Sequence, residues 1–164
     1  MKKKTDGFTL IELLVVMAII AILAAILVPL APKLIGTAKR NKAKGEVNTL
    51  SMAVKSFYSD YGRMPPAPAS GNSAPTIKAL IANDPAANPR ETVYLELETS
   101  NIQGEFLDPW GRQYELFLDS DYDNKVTFDG GTYRTSCIAV SRGPNGAPAA
   151  GTATTDSDDI TTAK

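Results

Sequence analysis

Three aspartates on alternate positions, Asp119, Asp121 and Asp123, followed by Asn124 and Lys125, are the densest set of potential ligands in the sequence. Carboxylates spaced this way, with a following backbone carbonyl such as that of Lys125, open an EF-hand-type loop, because calcium takes about six to eight hard oxygen ligands. The match departs at two places: Asn124 stands where glycine is usual, and Gly130 where the bidentate glutamate would be. A solvated acidic hairpin turn accounts for the same residues. Cys137 is the single cysteine and histidine is absent, so an intramolecular disulfide, a Cys/His zinc site and histidine acid–base catalysis are all excluded. Within the strand-like run 135–140, Cys137 reads as a small buried core residue. With no nucleophile motif or phosphate loop, and with acidic residues gathered in turns rather than around a pocket, no catalytic residue is assigned and the chain is not expected to be an enzyme.

The other ionisable group that needs an explanation is Glu12, at the edge of an apolar run. Residues 13–32 are uncharged and mostly apolar; as a helix they cover about 30 Å, the thickness of a bilayer's hydrocarbon core. A carboxylate there is costly unless it is paired or lies at headgroup level, where the helix dipole favours an anion. A basic stretch, Met1 to Gly7, precedes the run. That order also suits a secretory signal or a plain anchor, but the run is longer than a usual signal core, and Ala24 and Ala25 lie inside continuing apolar sequence. Lys2, Lys3 and Lys4 on one flank face Lys33, Lys39, Arg40, Lys42 and Lys44 on the other, so charge alone leaves the orientation open.

The segment Lys4-Thr5-Asp6-Gly7-Phe8-Thr9-Leu10-Ile11-Glu12-Leu13 resembles the leader and cleavage site of type IV pilins and pseudopilins. The resemblance implies cleavage after Gly7 by a prepilin peptidase and N-methylation at Phe8, with the leader in the cytoplasm. It also implies that Glu12 pairs with the N-terminal amine of a neighbouring subunit, and that Pro29 accompanies a loosened stretch of helix in the filament. Prolines remove helix hydrogen bonds, and Pro32 and Gly36 are expected to extend the weak stretch. Beyond them Val47, Leu50, Val54, Phe57 and Tyr61 recur at spacings of three and four, one stripe of a helix that should pack on a head and stop at Gly62 and Pro65.

The positioning elements follow from composition. Residues 1–62 carry nine Lys or Arg against four Asp or Glu, and residues 63–164 carry eight against fourteen. An acidic head argues against nucleic-acid binding, which needs a basic face. Loops are expected at 65–75 and 83–89, a short helix at 76–82, and strands at 93–97, 113–118, 125–128 and 133–141 forming a small antiparallel sheet. Asp108-Pro109-Trp110-Gly111 suits a type I turn. The expected architecture is α+β, a long N-terminal membrane-spanning helix packed on a small antiparallel sheet: leader 1–7, transmembrane and assembly segment 8–32, amphipathic continuation 33–62 and head 63–164.

Phe106 to Tyr114 around that turn, Ser141-Arg142-Gly143-Pro144-Asn145-Gly146, and Asp158-Asp159-Ile160 resemble the major pseudopilins of type II secretion. The resemblance implies calcium in a C-terminal loop bound by aspartates and backbone carbonyls. The positions concerned are Asn145, Asp156, Asp158 and Asp159, with Asn145 at the first acidic position and an Ala/Thr-rich insertion at 147–155. It further implies a homo-oligomeric filament, an inner-membrane assembly platform and minor pseudopilins as partners, and a single-pass inner-membrane protein with a periplasmic head. Two alternatives share parts of the pattern: a surface pilus subunit for adhesion, motility or DNA uptake, which shares the first 62 residues, and a monomeric membrane-anchored calcium-binding domain.

Overall fold

The computed structural model describes residues 8–66, 73–97, 106–146 and 159–163. Gly7, Asp156 and Asp158 lie outside the described residues. The chain divides into two compact units, Met1–Ala38 and Lys39–Lys164.

The first unit holds helix α1 (Leu10–Leu27) and the start of helix α2 (Ala31–Tyr61). Between them residues 28–30 form a turn. Pro29 has no N–H to give, and the chain closes on either side of it through Val28 N to Ala24 O (3.0 Å) and Leu30 N to Leu27 O (3.1 Å). The interruption is confined to that turn. Pro32 sits in the first turn of α2, where its missing N–H costs nothing, and Gly36 is helical, so the expected longer weak stretch is corrected.

The second unit is built on the rest of α2. Val47, Leu50, Val54 and Phe57 are buried and Tyr61 is partly so, as the three-and-four spacing predicts. Burying Phe57 alone stabilises by roughly 1.5–3 kcal/mol. Gly62 ends the helix at φ +64°, a conformation that favours glycine. The short helix α3 (Ala74–Leu80) starts two residues earlier than expected and adds Ile77 and Leu80 to the same core.

Strands β1 (Glu115–Leu118), β4 (Cys137–Ser141) and β5 (Ile160–Thr161) form an antiparallel sheet in the order β1-β4-β5, and β2 (Val126–Phe128) pairs with β3 (Gly131–Tyr133) as a hairpin. Alternation sends Leu116, Cys137 and Ala139 to the α2 core and Ile138 and Val140 to a second core with Val126 and Phe128. Covered on both faces, β4 is buried along its whole length. That explains its continuous apolar run. The hairpin turns on Asp129 (φ 46°) and Gly130 (φ 75°), the two positive-φ residues a tight hairpin loop requires.

Two strand expectations are corrected. Residues 93–97 form no strand: Tyr94 N and Leu95 N both donate to Leu80 O, at 2.9 and 3.1 Å, and this tertiary anchoring replaces a ladder. The run 133–141 is two strands, β3 and β4, separated by a bend at 134–136. Cys137 is buried, with Sγ 3.3 Å from Ser51 Oγ, and burial pushes its thiol pKa up, as suits an inert core residue.

Candidate assembly segment and cation loops

Thr9 caps α1 in an extended conformation, and Glu12 completes a capping box. The Glu12 carboxylate accepts from Thr9 N at 2.9 Å and from Thr9 Oγ1 at 2.6 Å, while Glu12 N donates to Thr9 Oγ1 at 3.4 Å. The box places the anion at the positive end of the helix dipole. None of the residues of α1 is buried. Its eighteen residues span about 27 Å, long and apolar enough to cross a membrane. A helix apolar all round and buried at none of its residues needs lipid or other helices as its surroundings. Phe8 is exposed, and with Ile11, Glu12, Val15 and Val16 it lines a shallow depression.

In the second unit the loop after β1 brings Asp119, Asp121 and Asp123 together, with one carboxylate oxygen of each within 4.8 Å of the others. Asp119 is buried and accepts from Asp123 N (3.2 Å) and Asn124 N (2.9 Å). Asn124 takes φ 60°, the left-handed conformation for which such loops ordinarily use glycine. Among the described residues these three carboxylates are the ones gathered closely enough to share a cation. The Lys125 ammonium lies 3.0 Å from Asp123 Oδ2. This contact holds the Asp123 carboxyl below its ordinary pKa and raises that of Lys125. Tyr122 fastens the loop to the end of α2, its hydroxyl accepting from Met64 N at 3.2 Å and its ring standing 6.2 Å from that of Tyr58.

The C-terminal turn has a different chemistry. Gly143 (φ 60°) and Gly146 (φ 66°) shape it, and Gly146 N donates to Arg142 O at 3.1 Å. The Arg112 guanidinium donates to the carbonyls of Gly143 and Pro144, the latter at 3.1 Å, and a Cβ at Gly146 would overlap that guanidinium. Arg142, itself buried, donates to Glu115 through Nε (3.1 Å) and Nη2 (2.6 Å), and through Nη1 to Asp129 (3.2 Å) and Asp159 (3.4 Å). Its guanidinium also lies 5.3 Å from the Phe128 ring centroid. Burial works against the Arg142 charge, and the Glu115 and Asp129 carboxylates outweigh it and push the pKa further up. Of the expected C-terminal ligands, Asp159 thus lies in the Arg142 cluster, and Asn145 is exposed on the turn.

The Asp108-Pro109-Trp110-Gly111 turn closes through Gly111 N to Asp108 O at 2.9 Å. Asp108 Oδ1 caps it from Trp110 N (3.0 Å) and Arg112 N (2.9 Å), and Oδ2 accepts from Ser141 Oγ at 2.7 Å. The two sequence signatures are therefore docked on each other.

Residues 2–28 match the family model described as the prokaryotic N-terminal methylation motif. Over 124 residues, 74% of this chain and 78% of the relative, the chain is 30% identical to type II secretion system core protein G of Aeromonas hydrophila. The chain belongs to the type II secretion core protein G family of pilin-like proteins. It is 29% identical to the core protein G of Pseudomonas aeruginosa over 114 residues, 70% of this chain and 74% of that protein. With the type IV major pilin PilA of Myxococcus xanthus the identity is 49%, but over 60 residues, 37% of this chain and 27% of that protein. No solved structure matches the chain significantly. For a pseudopilin of this family, an apolar N-terminal helix fits a single-pass membrane anchor.

Sequence reasoning missed Arg112 and Arg142 as organising residues, and it missed the contact of Tyr114 with Glu46, in which the buried phenol donates to the α2 carboxylate. The Asp129-Gly130 dipeptide between apolar residues was the readable sign of the hairpin that carries Asp129 to Arg142.

Proposed function

We propose that this chain is the repeating structural subunit of a type II secretion pseudopilus, polymerising through its N-terminal helix to drive protein export. The observation that carries this reading is α1 itself, apolar on every side and buried on none, with a single carboxylate held at its entry. Cleavage after Gly7 and methylation of Phe8 place a new amine near Glu12. In the filament Glu12 exchanges its Thr9 partners for the amine of a neighbouring subunit, and the turn at Pro29 loosens. The head faces the periplasm, and a prepilin peptidase, an inner-membrane platform and minor pseudopilins act on or with the subunit.

A surface pilus subunit is the second reading, supported by the identity to the Myxococcus pilin. That likeness covers 60 residues, whereas the alignment to core protein G extends over 124. Deleting the gene and scoring protein secretion and surface pili side by side separates the two: loss of secretion with pili retained supports the first reading, and the reverse supports the second.

Calcium is proposed at the Asp119 loop. The carboxylates of Asp119, Asp121 and Asp123 and the carbonyl of Lys125 would hold it, and the ion would supply positive charge that relieves repulsion among the three carboxylates.

A further inference from the structure

Three cations of the head are spent inside it: Arg112 on backbone carbonyls, Arg142 on three carboxylates and Lys125 on Asp123. Arg63 and Arg90 are held as firmly but are not spent. The Arg63 guanidinium donates from Nη2 to Ala87 O at 2.7 Å and lies 5.5 Å from the Tyr61 ring centroid. That of Arg90 donates from Nη1 to Asp60 O at 3.3 Å and lies 5.3 Å from the same centroid. Tyr61 is itself fixed, its hydroxyl donating to Asn88 Oδ1 at 2.7 Å and accepting from Arg90 N at 3.0 Å. Asp60 O is among the last carbonyls of α2, so the Arg90 bond also closes the helix end. A guanidinium has about five N–H groups to give, and these bonds leave most of them over. Both arginines are exposed, and among the described residues neither has a carboxylate within ion-pair distance. Glu91 and Glu96 are exposed too, and among the described residues neither has a cation.

A mobile surface charge loses side-chain entropy when it pairs, which is why most exposed ion pairs contribute little. A guanidinium already set by a ring and a carbonyl has less to lose, and its planar fork fits a carboxylate. Residues 63–164 carry eight Lys or Arg against fourteen Asp or Glu, so heads of this kind brought side by side repel unless cations stand at the contact. We propose that Arg63 and Arg90, gathered at Tyr61 where α2 ends, bind carboxylates on the head of a second copy of this chain. This contact presupposes the repeating-subunit reading and adds to polymerisation through α1 a second contact, made between heads.

Filaments are isolated from cells making the full-length chain unmutated, with Arg63→Gln and Arg90→Gln together, and with Arg63→Lys and Arg90→Lys together. The glutamine pair should lower filament yield by about fivefold, and the lysine pair should restore most of it, because the second copy senses the charge. Melting of the detergent-dispersed subunits separates a folding loss from an assembly loss. A carbodiimide joins an ammonium to a carboxylate in direct contact. On filaments of the lysine pair it should link the introduced lysines to an acidic residue of a second copy, and on dispersed subunits it should not. Glutamine-pair filaments at the unmutated yield overturn the proposal, as does a lysine pair that folds but assembles no better than the glutamine pair. Introduced lysines that link to nothing in the filament, to another protein, or equally in dispersed subunits overturn it as well. Should the glutamine pair fail to fold, the carbodiimide mapping decides. Failure of the subunit reading looks different: the unmutated chain then forms no filaments, and the head contact falls with it.

Discussion

Asp108 and Ser141, thirty-three residues apart, share a buried hydrogen bond of 2.7 Å between carboxylate and hydroxyl. This bond locks the Trp110 turn against the end of β4, and the same Ser141 oxygen accepts from Gly143 N at 3.2 Å, which starts the C-terminal turn. Ser141→Ala leaves a buried carboxylate oxygen and a backbone N–H without this partner, at a cost of about 1–3 kcal/mol. Asp108→Ala also removes the caps on Trp110 N and Arg112 N and should cost more. The double variant should lose less than the two single losses added together, since they share one contact. Denaturant unfolding of the full-length protein in detergent measures all three.

Tyr114 gives the alkaline limb of stability its sign. Burial first, and then the neighbouring Glu46 carboxylate, push its phenol pKa well above the ordinary value. A group whose folded pKa is raised contributes stability that is fully present below the unfolded pKa, about 10 for tyrosine, and is lost as pH rises toward the folded value. Melting temperature should therefore fall between about pH 10 and pH 11 in the wild type, and fall less steeply in Tyr114→Phe. Equal slopes in the two proteins would remove the contact from the list of stabilising interactions.

The α2 stripe was legible because burial on a helix repeats at three and four residues, and Val47 to Phe57 keep that spacing through about three turns. β4 was legible as buried but not as bounded. Tyr133 to Ser141 reads as one run, and the bend at 134–136 comes from the separate pairing of β3 with β2, which no local pattern announces. Residues 93–97 are rich in the apolar and aromatic types that strands favour, yet the Leu80 carbonyl captures two of their N–H groups. β5 is two residues long and owes its existence to the open edge of β4. Arg142 reaches carboxylates 13, 17 and 27 residues away, separations at which sequence spacing carries no periodic trace. At the N-terminus the reverse holds. Thr9 and Glu12 are three residues apart, and their capping box is a local feature that spacing alone can display.

Calcium should raise the melting temperature of the full-length protein, because a ligand that binds only the folded state stabilises it by RT ln(1 + [L]/Kd). Asp121→Ala with Asp123→Ala should abolish the rise, whereas Asp158→Ala should leave it intact. Both aspartates of the first pair are exposed, so the change should cost little folding stability in chelator. No difference between chelator and millimolar calcium in the unmutated protein would reject the Asp119 loop as a calcium site.

Polymerisation through the N-terminal helix is tested most directly by Glu12→Ala, followed by isolation of filaments and membranes from the same cells. Removing the carboxylate makes the segment more apolar, so insertion should be preserved, while the proposed partner of the Phe8 amine is lost. The predicted result is a processed, membrane-retained subunit with no filaments; filaments at wild-type yield from this variant would contradict it.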